Sequence, residues 1–550
     1  MNHRFLFSSI VLLACAFLRD ASGADNWTGG GSTPNWSDND NWDAGVPATG
    51  ADVAFGASAQ TSVVQDVTAS VSSLTFGANA PAYTITLLPS RSTTLTGSGV
   101  TNNSPATESM LTSGAVIRGP VGSSISFINS AGAGTITIDN SGGQTSGARG
   151  GAVSFFGAAS AGNATLVNRG GAVPGAHGGE VVFSANATAA SAVITTTGGA
   201  DTDATGGTTF FYENSSAQNS TLTTDGPQGG ASGGLIRFFD NADGGLARAI
   251  TNTGATFDIT GLLTSGMSIG SIEGGGIYSL GAKRLTVGGN NLSTTMSGVL
   301  QDGGLDGGTG AGLTKNGTGT LTLSGTNTYS GTTVVAGGTL LIAPSGSLGF
   351  GAIDVNANAV LVVNGIVHGN TDVSGTAGGA GTFGGNVLVK DGGTFNGAAT
   401  VSGNLTLQAT GLVSLSSGSL VVNGSVTNDG TMRFRHGASF NPAGGTFINN
   451  GTLDVITGAF LTPANFVNNG IVLDASVVKT KSITRSGAGV TIAIGSYAMH
   501  TYQLQRSPLP TSNSFFDVGA PQSGATGTTL TFTDASAPSP RAFYRIAVDP

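Results

Sequence analysis

The chain is poor in most of what builds a cross-linked domain or a catalytic centre. It has a single cysteine, Cys15. A chain cut beyond that residue has no disulfide, so its rigidity must come from backbone hydrogen bonds and apolar packing. Charged residues make up only 9% of the 550, and the net charge is −9. Holding a phosphate backbone takes a basic surface, so nucleic acid is not an expected partner. The five histidines, His3, His177, His368, His436 and His500, lie far apart with no metal-ligand spacing. No window carries a helical period. Beyond the first residues no run reaches the ~18 uninterrupted apolar residues of a membrane span, so no transmembrane segment is expected in the mature chain.

What the chain has instead is glycine, 92 residues of it, and a repeat. Phe127, Phe155, Phe183, Phe211 and Phe239 lie 28 residues apart. Ile138, Leu166, Ile194, Leu222 and Ile250 keep the same interval, as do Gly142, Gly170, Gly198, Gly226 and Gly254. Between the last two sets sits Asn or Thr: Asn140, Asn168, Thr196, Thr224 and Asn252. Short β-branched and apolar runs, bounded by Gly-rich links, read as strands. A register held this long marks a stacked solenoid. The fold class is therefore all-β: a parallel β-helix in which each unit makes one coil, Phe stacks on Phe and Ile or Leu on Leu or Ile. The crossover rule makes it right-handed, and each coil advances roughly 4.8 Å. In the fifth unit the pair Gly233-Gly234 comes one residue early, so a bulge is expected there, with Phe238 or Phe239 pointing inward.

In chain order, residues 1–23 read as a signal peptide. Phe5–Leu18 is apolar, and Ala21-Ser22-Gly23 is a small-residue cleavage site before Ala24. The rival reading is a lipobox, Leu12-Leu13-Ala14-Cys15, with Cys15 lipidated. Residues 24–110 hold all three tryptophans, Trp27, Trp36 and Trp42. They read as an N-terminal cap and first coils, since a solenoid end must cover its core and strand edges. The alternative is a platform for sugars. Asp38, Asp40 and Asp43 alternate with Asn and could serve an oxygen-only Ca²⁺ site or simply form turns. Residues 111–310 are the β-helix with 28-residue coils, weaker in register after 260. In residues 344–495 shorter coils of about 20 residues are expected, with Asn428-Asp429-Gly430, Asn449-Asn450-Gly451 and Asn468-Asn469-Gly470 as left-handed corners. Residues 496–550 read as a small β-sandwich-like module, either a C-terminal cap or an attachment module.

The stretch 311–343, AGLTKNGTGTLTLSGTNTYSGTTVVAGGTLLIA, carries Gly312, Leu313, Thr314, Lys315, Gly317, Gly319, Leu321, Leu323, Gly325, Asn327, Tyr329, Gly331, Thr333, Val335, Gly338 and Leu340. In this pattern it resembles the autotransporter-associated β-strand repeat, also called the passenger-associated transport repeat. The resemblance implies a secreted bacterial β-helix of the surface or adhesin-like kind, and brings no catalytic residues. Such passengers usually end in a membrane barrel of eight or more alternating strands. The ending RAFYRIAVDP follows no such pattern, so a passenger without its own translocator is expected.

Enzymes on β-helices need clustered carboxylates, or carboxylate-held Ca²⁺ with a basic residue. No Asp, Arg or His recurs at stacked positions, and Asp139, Asp225, Asp240 and Asp258 read as isolated turn residues. Arg433 and Arg435 beside Phe434 and His436 read as a charged edge that blocks strand pairing. No catalytic, cofactor or metal residue is assigned. The expected function is a non-enzymatic secreted or cell-surface structural or adhesin-like protein, with cell-surface glycans or other surface proteins as partners. The alternatives are an extracellular carbohydrate-binding protein, resting on the tryptophans, and a polysaccharide lyase or hydrolase, resting on fold analogy.

Overall fold

The computed structural model describes residues 23–117, 122–435, 437–498, 500–511, 514–538 and 541–549. Cys15, His3 and His436 lie outside these, as does the expected signal peptide except for Gly23. Among the described residues there is no α-helix, and so none long and apolar enough to cross a membrane. Alternation of buried and outward residues along nearly every strand gives one continuous apolar interior running the length of a parallel β-helix. Two parallel sheets form its first part, one of twelve strands from Asp25–Trp27 to Val299–Gln301, the other of nine from Ser62–Gln65 to Ser271–Glu273. Three sheets of eleven, ten and seven strands form the second part and end at Phe466–Asn468, Ile471–Leu473 and Ala459–Phe460. The coils shorten before this second part, which corrects the reading of 28-residue coils to 310: Leu235 pairs with Thr256 and Thr256 with Ile277, each 21 residues on, and later Thr371 pairs with Val387, 16 on, and Leu405 with Val426, 21 on.

The 28-residue spacing becomes a stack of rings. Phe127, Phe155, Phe183 and Phe211 lie 4.7–4.8 Å apart, within 6° of parallel. Ile138, Leu166, Ile194 and Leu222 pair rung on rung on the second sheet. The fifth rung corrects the sequence reading. Phe238, not Phe239, sits on Phe211 at 4.6 Å, and Ala249, not Ile250, sits on Leu222. This coil is one residue short, at the early glycine pair. Because strand side chains alternate, a one-residue slip would turn the inward set outward unless the preceding residue took its place. Thr251 therefore replaces Asn252 over Thr224. The ladder irregularity falls just above, between Arg237 and Phe239. Phe239 instead joins the outer face, stacked on Tyr212 at 4.6 Å.

The Asn positions form hydrogen-bonded ladders. Thr112 donates to Asn140 at 2.6 Å, and Asn140 to Asn168 at 2.8 Å. In the shorter coils Asn428 donates to Asn449 and Asn449 to Asn468, each at 2.7 Å, while Asp429, Asn450 and Asn469 form a second file outside. These corners are not left-handed, as the sequence reading had them: none of their residues has positive φ. Glycine is required there by close approach, since a Cβ on Gly451 would lie 2.1 Å from the Gly430 carbonyl oxygen below.

Trp27, Trp36 and Trp42 plug the first rung. Trp42 meets Trp27 and Trp36 edge-on at 5.1 and 4.8 Å, and all three pack on Phe55. Trp27 donates to the Gln60 carbonyl and Trp42 to that of Trp36, both at 2.8 Å. All three are buried, so no indole face is left to stack on a sugar. At the far end the chain turns antiparallel earlier than expected, at Thr480 rather than 496. Thr480–Ser486 and Gly489–Ser496 pair as a hairpin and join Thr528–Asp534, beside a four-stranded sheet centred on Thr501–Ser507. This module has its own core of Val490, Ile492, Ile494, Tyr502, Leu504 and Phe532. His500 of the module reaches Asp454 of the solenoid at 2.9 Å, and Asp454 also meets Arg433 at 3.4 Å. Arg433 is thus buried and is no exposed charged edge.

Glu108 is fully buried between coils. One carboxylate oxygen accepts the Tyr83 N–H at 2.6 Å, and the other has no hydrogen-bond partner among the described residues. Burial pushes its pKa above the ordinary 4.5. The folded state therefore holds this proton more tightly than the unfolded chain, and the wild type loses stability as pH rises from the ordinary value through the raised one. Glu108→Gln lacks this titration. The expected result is a melting-temperature difference, variant minus wild type, that grows as pH rises from about 4 to 7. A difference independent of pH would remove the buried-carboxylate account.

Candidate functional site

Most side chains that could do chemistry are already engaged. Asp38, one of the three suggested Ca²⁺ ligands, accepts the Thr33 hydroxyl at 2.8 Å and caps a short 3₁₀ turn at Asn39–Asn41. Asp43 accepts from Asn26 through both oxygens. Those bonds hold both carboxyls below the usual range, led by the side-chain contact in each case. Among the described residues no group of three or more His, Cys, Asp or Glu is placed to hold a metal. Asp139 and Asp258, read as isolated turn residues, are paired: Asp139 with Arg169, Asp258 with Arg237. Asp258 is a fully buried strand residue, and it also accepts the Leu305 N–H at 3.0 Å from the Gly-rich loop 302–310.

The residues carrying the transport-repeat pattern are structural in the same sense. Lys315 is buried, and its ammonium donates to the carbonyls of Asn316, Gly317 and Gly337 at 2.6, 3.4 and 3.2 Å. Burial lowers its pKa. Asn327 accepts the Leu300 N–H at 2.9 Å and donates to the carbonyls of Gly325 and Ser347. The buried Tyr329 hydroxyl lies 2.6 Å from that of Thr333. Each ties one coil to itself or to the next.

One place differs. Where the Gly-rich link enters the first sheet, Gly122, Gly150, Gly178 and Gly206 line a groove of about 490 Å³. These positions repeat every 28 residues, so the groove runs across the coils. Its charged lining does not repeat. Arg149 and His177 occupy one column on neighbouring coils, with Thr205 above; Ala152, Glu180 and Thr208 pair in the next column along the sheet. Desolvation in the groove pushes the Glu180 carboxyl up, and the Arg149 guanidinium opposes this. Glu180 stays accessible to water, so its desolvation is partial. Beside the groove, the outer face of the sheet carries Phe210, Tyr212 and Phe239, all half-buried, with the Arg237 guanidinium 4.3 Å above the Phe239 ring. The Tyr212 hydroxyl is pushed up to about 12, first by burial and then by Glu180.

Sequence reasoning missed this cluster because it looked for recurrence. The signal was there: Arg149 and His177 are one 28-residue step apart, and Glu180 is one step from both Ala152 and Thr208. The ladder residues Phe127, Phe155, Phe183, Phe211, Ile138, Leu166, Ile194 and Leu222 are all buried and form no part of the groove.

Residues 313–342 and 427–455 each match the family model of the passenger-associated-transport-repeat. The first match is the stretch around Lys315, Asn327 and Tyr329. The second lies in the shorter coils and includes the start of the double Asn ladder. No curated protein and no solved structure matches the chain.

Proposed function

From a chain that carries two passenger-associated transport repeats on an all-β parallel solenoid, we propose a non-enzymatic secreted or cell-surface protein of structural, adhesin-like type. The observation that carries this reading is the fate of the repeat's signature residues. Lys315, Asn327 and Tyr329 all bond backbone or side-chain groups of their own and adjoining coils. The chemistry written into the repeat is thus the chemistry of building a stiff rod. A protein used as a rod presents its outer faces to partners, and surface glycans or other surface proteins are the partners such a face meets.

A carbohydrate-binding role is the second reading. It moves from the buried tryptophans to the groove at Arg149, His177 and Glu180. Two measurements on the purified mature chain test the proposal together. Beads coated with it are expected to attach to cell surfaces above the level of uncoated beads. Incubation with pectin, alginate, xylan and sulfated glycans is expected to release no reducing ends and no unsaturated products. Turnover abolished by changing one acidic residue would overturn the non-enzymatic reading, and attachment equal to uncoated beads would overturn the adhesive one.

A further inference from the structure

We propose that the groove across the 28-residue coils is a binding site for an acidic oligosaccharide, a chain whose rings carry both a carboxylate and hydroxyls. The inference deepens the adhesive reading by naming the ligand class; it rests on that reading only for where the ligand comes from.

The placement of Arg149, His177 and Glu180 in one groove carries the argument. Arg169 meets Asp139 at 2.6 Å, Arg248 meets Glu273 at 2.6 Å, and Arg237 is held by Asp258 and Asp306. These three guanidinia each find a carboxylate, whereas the exposed Arg91, below the groove on the same sheet, pairs with none among the described residues. Arg149 resembles Arg91 in this but, unlike it, lines the groove. It feels the charge of Glu180, yet among the described residues the two make no ion pair, and neither side chain makes a hydrogen bond. His177 is likewise without a partner among the described residues. Three unrepeated polar groups therefore face one groove with their bonding capacity open. A stretch that was only scaffold would be expected to carry the Thr, Ser and Asn of the other coils at these positions.

The charges then choose the ligand. The guanidinium fork matches a planar carboxylate through two parallel N–H bonds, and His177 on the next coil adds a further donor. Glu180 in the neighbouring column accepts hydroxyl hydrogens, as Thr205 and Thr208 also can. A bare polyanion meets repulsion from Glu180. A neutral sugar leaves the guanidinium unmatched. A ring bearing both a carboxylate and hydroxyls satisfies both groups. The adjoining half-buried shelf of Phe210, Tyr212 and Phe239 adds apolar surface beside the polar groups, the mixture common to small-molecule sites. From Gly122 to Gly206 the groove crosses three coil steps, about 14 Å. That is long enough for an oligomer lying along the solenoid axis.

Titration calorimetry on the full mature chain tests this, with tetragalacturonate, cellotetraose and sodium sulfate as the three probes. Tetragalacturonate is expected to bind, and binding should weaken with added salt. Arg149→Gln is expected to lower its affinity at least tenfold, and Glu180→Gln to lower it severalfold. Arg169→Gln, whose guanidinium is paired elsewhere, should leave binding unchanged and serves as the control for folding. Equal binding by wild type and Arg149→Gln would overturn the site. So would equal affinity for cellotetraose, which would make the ligand a neutral glycan, or equal affinity for sulfate, which would make the groove an anion site only. The adhesive reading fails separately. If beads attach to cells while tetragalacturonate does not bind, the groove proposal falls and the surface role stands.

Discussion

Phe183→Ala is expected to open a protease-sensitive site between about residues 155 and 211 while the coils beyond Ala311 stay resistant. Phe183 lies between two parallel rings, 4.7 Å from Phe155 and 4.8 Å from Phe211, and is fully buried. Removing a packed Phe typically costs about 3–5 kcal/mol, from lost burial and the cavity left behind. The backbone cannot close that cavity easily, because its spacing is fixed by hydrogen bonds to the coils on either side. In a solenoid each coil touches only its neighbours, so the loss appears as local opening before any global unfolding. Phe239→Ala removes the same group from the outer face and should cleave little faster than wild type. Limited proteolysis with mass mapping reads both variants. Wild-type cleavage rates in Phe183→Ala would mean that the ring stack does not hold these coils.

Lys315→Met should loosen the turns of the first transport repeat. The change keeps an unbranched chain of similar bulk but leaves the carbonyls of Asn316, Gly317 and Gly337 without the ammonium that serves them. A buried acceptor left without its donor costs about 1–3 kcal/mol, more where the donor was charged. Water can reach part of this corner, and removing a buried ammonium relieves some desolvation. The expected net loss is therefore about 2–4 kcal/mol rather than three full penalties. Hydrogen exchange followed by mass spectrometry should show faster exchange across residues 313–342, with residues 125–211 unchanged. Unaltered exchange in 313–342 would mean that the lysine is not what holds the corner.

The interior of the solenoid was legible because a stack repeats its demands. Each ring at Phe127, Phe155 and Phe183 sees the same neighbours, so the same residue type returns at the same interval. The slip at the fifth coil was hidden by chance: Phe238 and Phe239 are adjacent, and the 28-residue count falls on the wrong one. Only the early Gly233-Gly234 pair marked the shorter link. The start of the C-terminal module was misplaced for a different reason. Ser486 and Gly489 close a hairpin through Gly487, whose φ of +60° sets the turn. The strands on either side look much like solenoid strands, and only that turn shows that the second runs back along the first. The groove at Arg149, His177 and Glu180 could not be found by any search for repetition, because a ligand site on a repeat scaffold consists of its departures from the repeat.

The change of coil size midway along the rod has a mechanical side. Strands run across the solenoid axis, so a pull along that axis loads the inter-coil hydrogen bonds in tension and peels them coil by coil rather than shearing them together. At ~3.3–3.6 Å of chain per residue, a released 28-residue coil yields about 90–100 Å of slack, and one of the later coils about 50–75 Å. A rod of this construction lengthens in steps instead of snapping, and steps of the longer size mark the 28-residue coils between Ser124 and Thr208. For a molecule tethering one surface to another, each lost coil would let out slack and relax the load before the next yields.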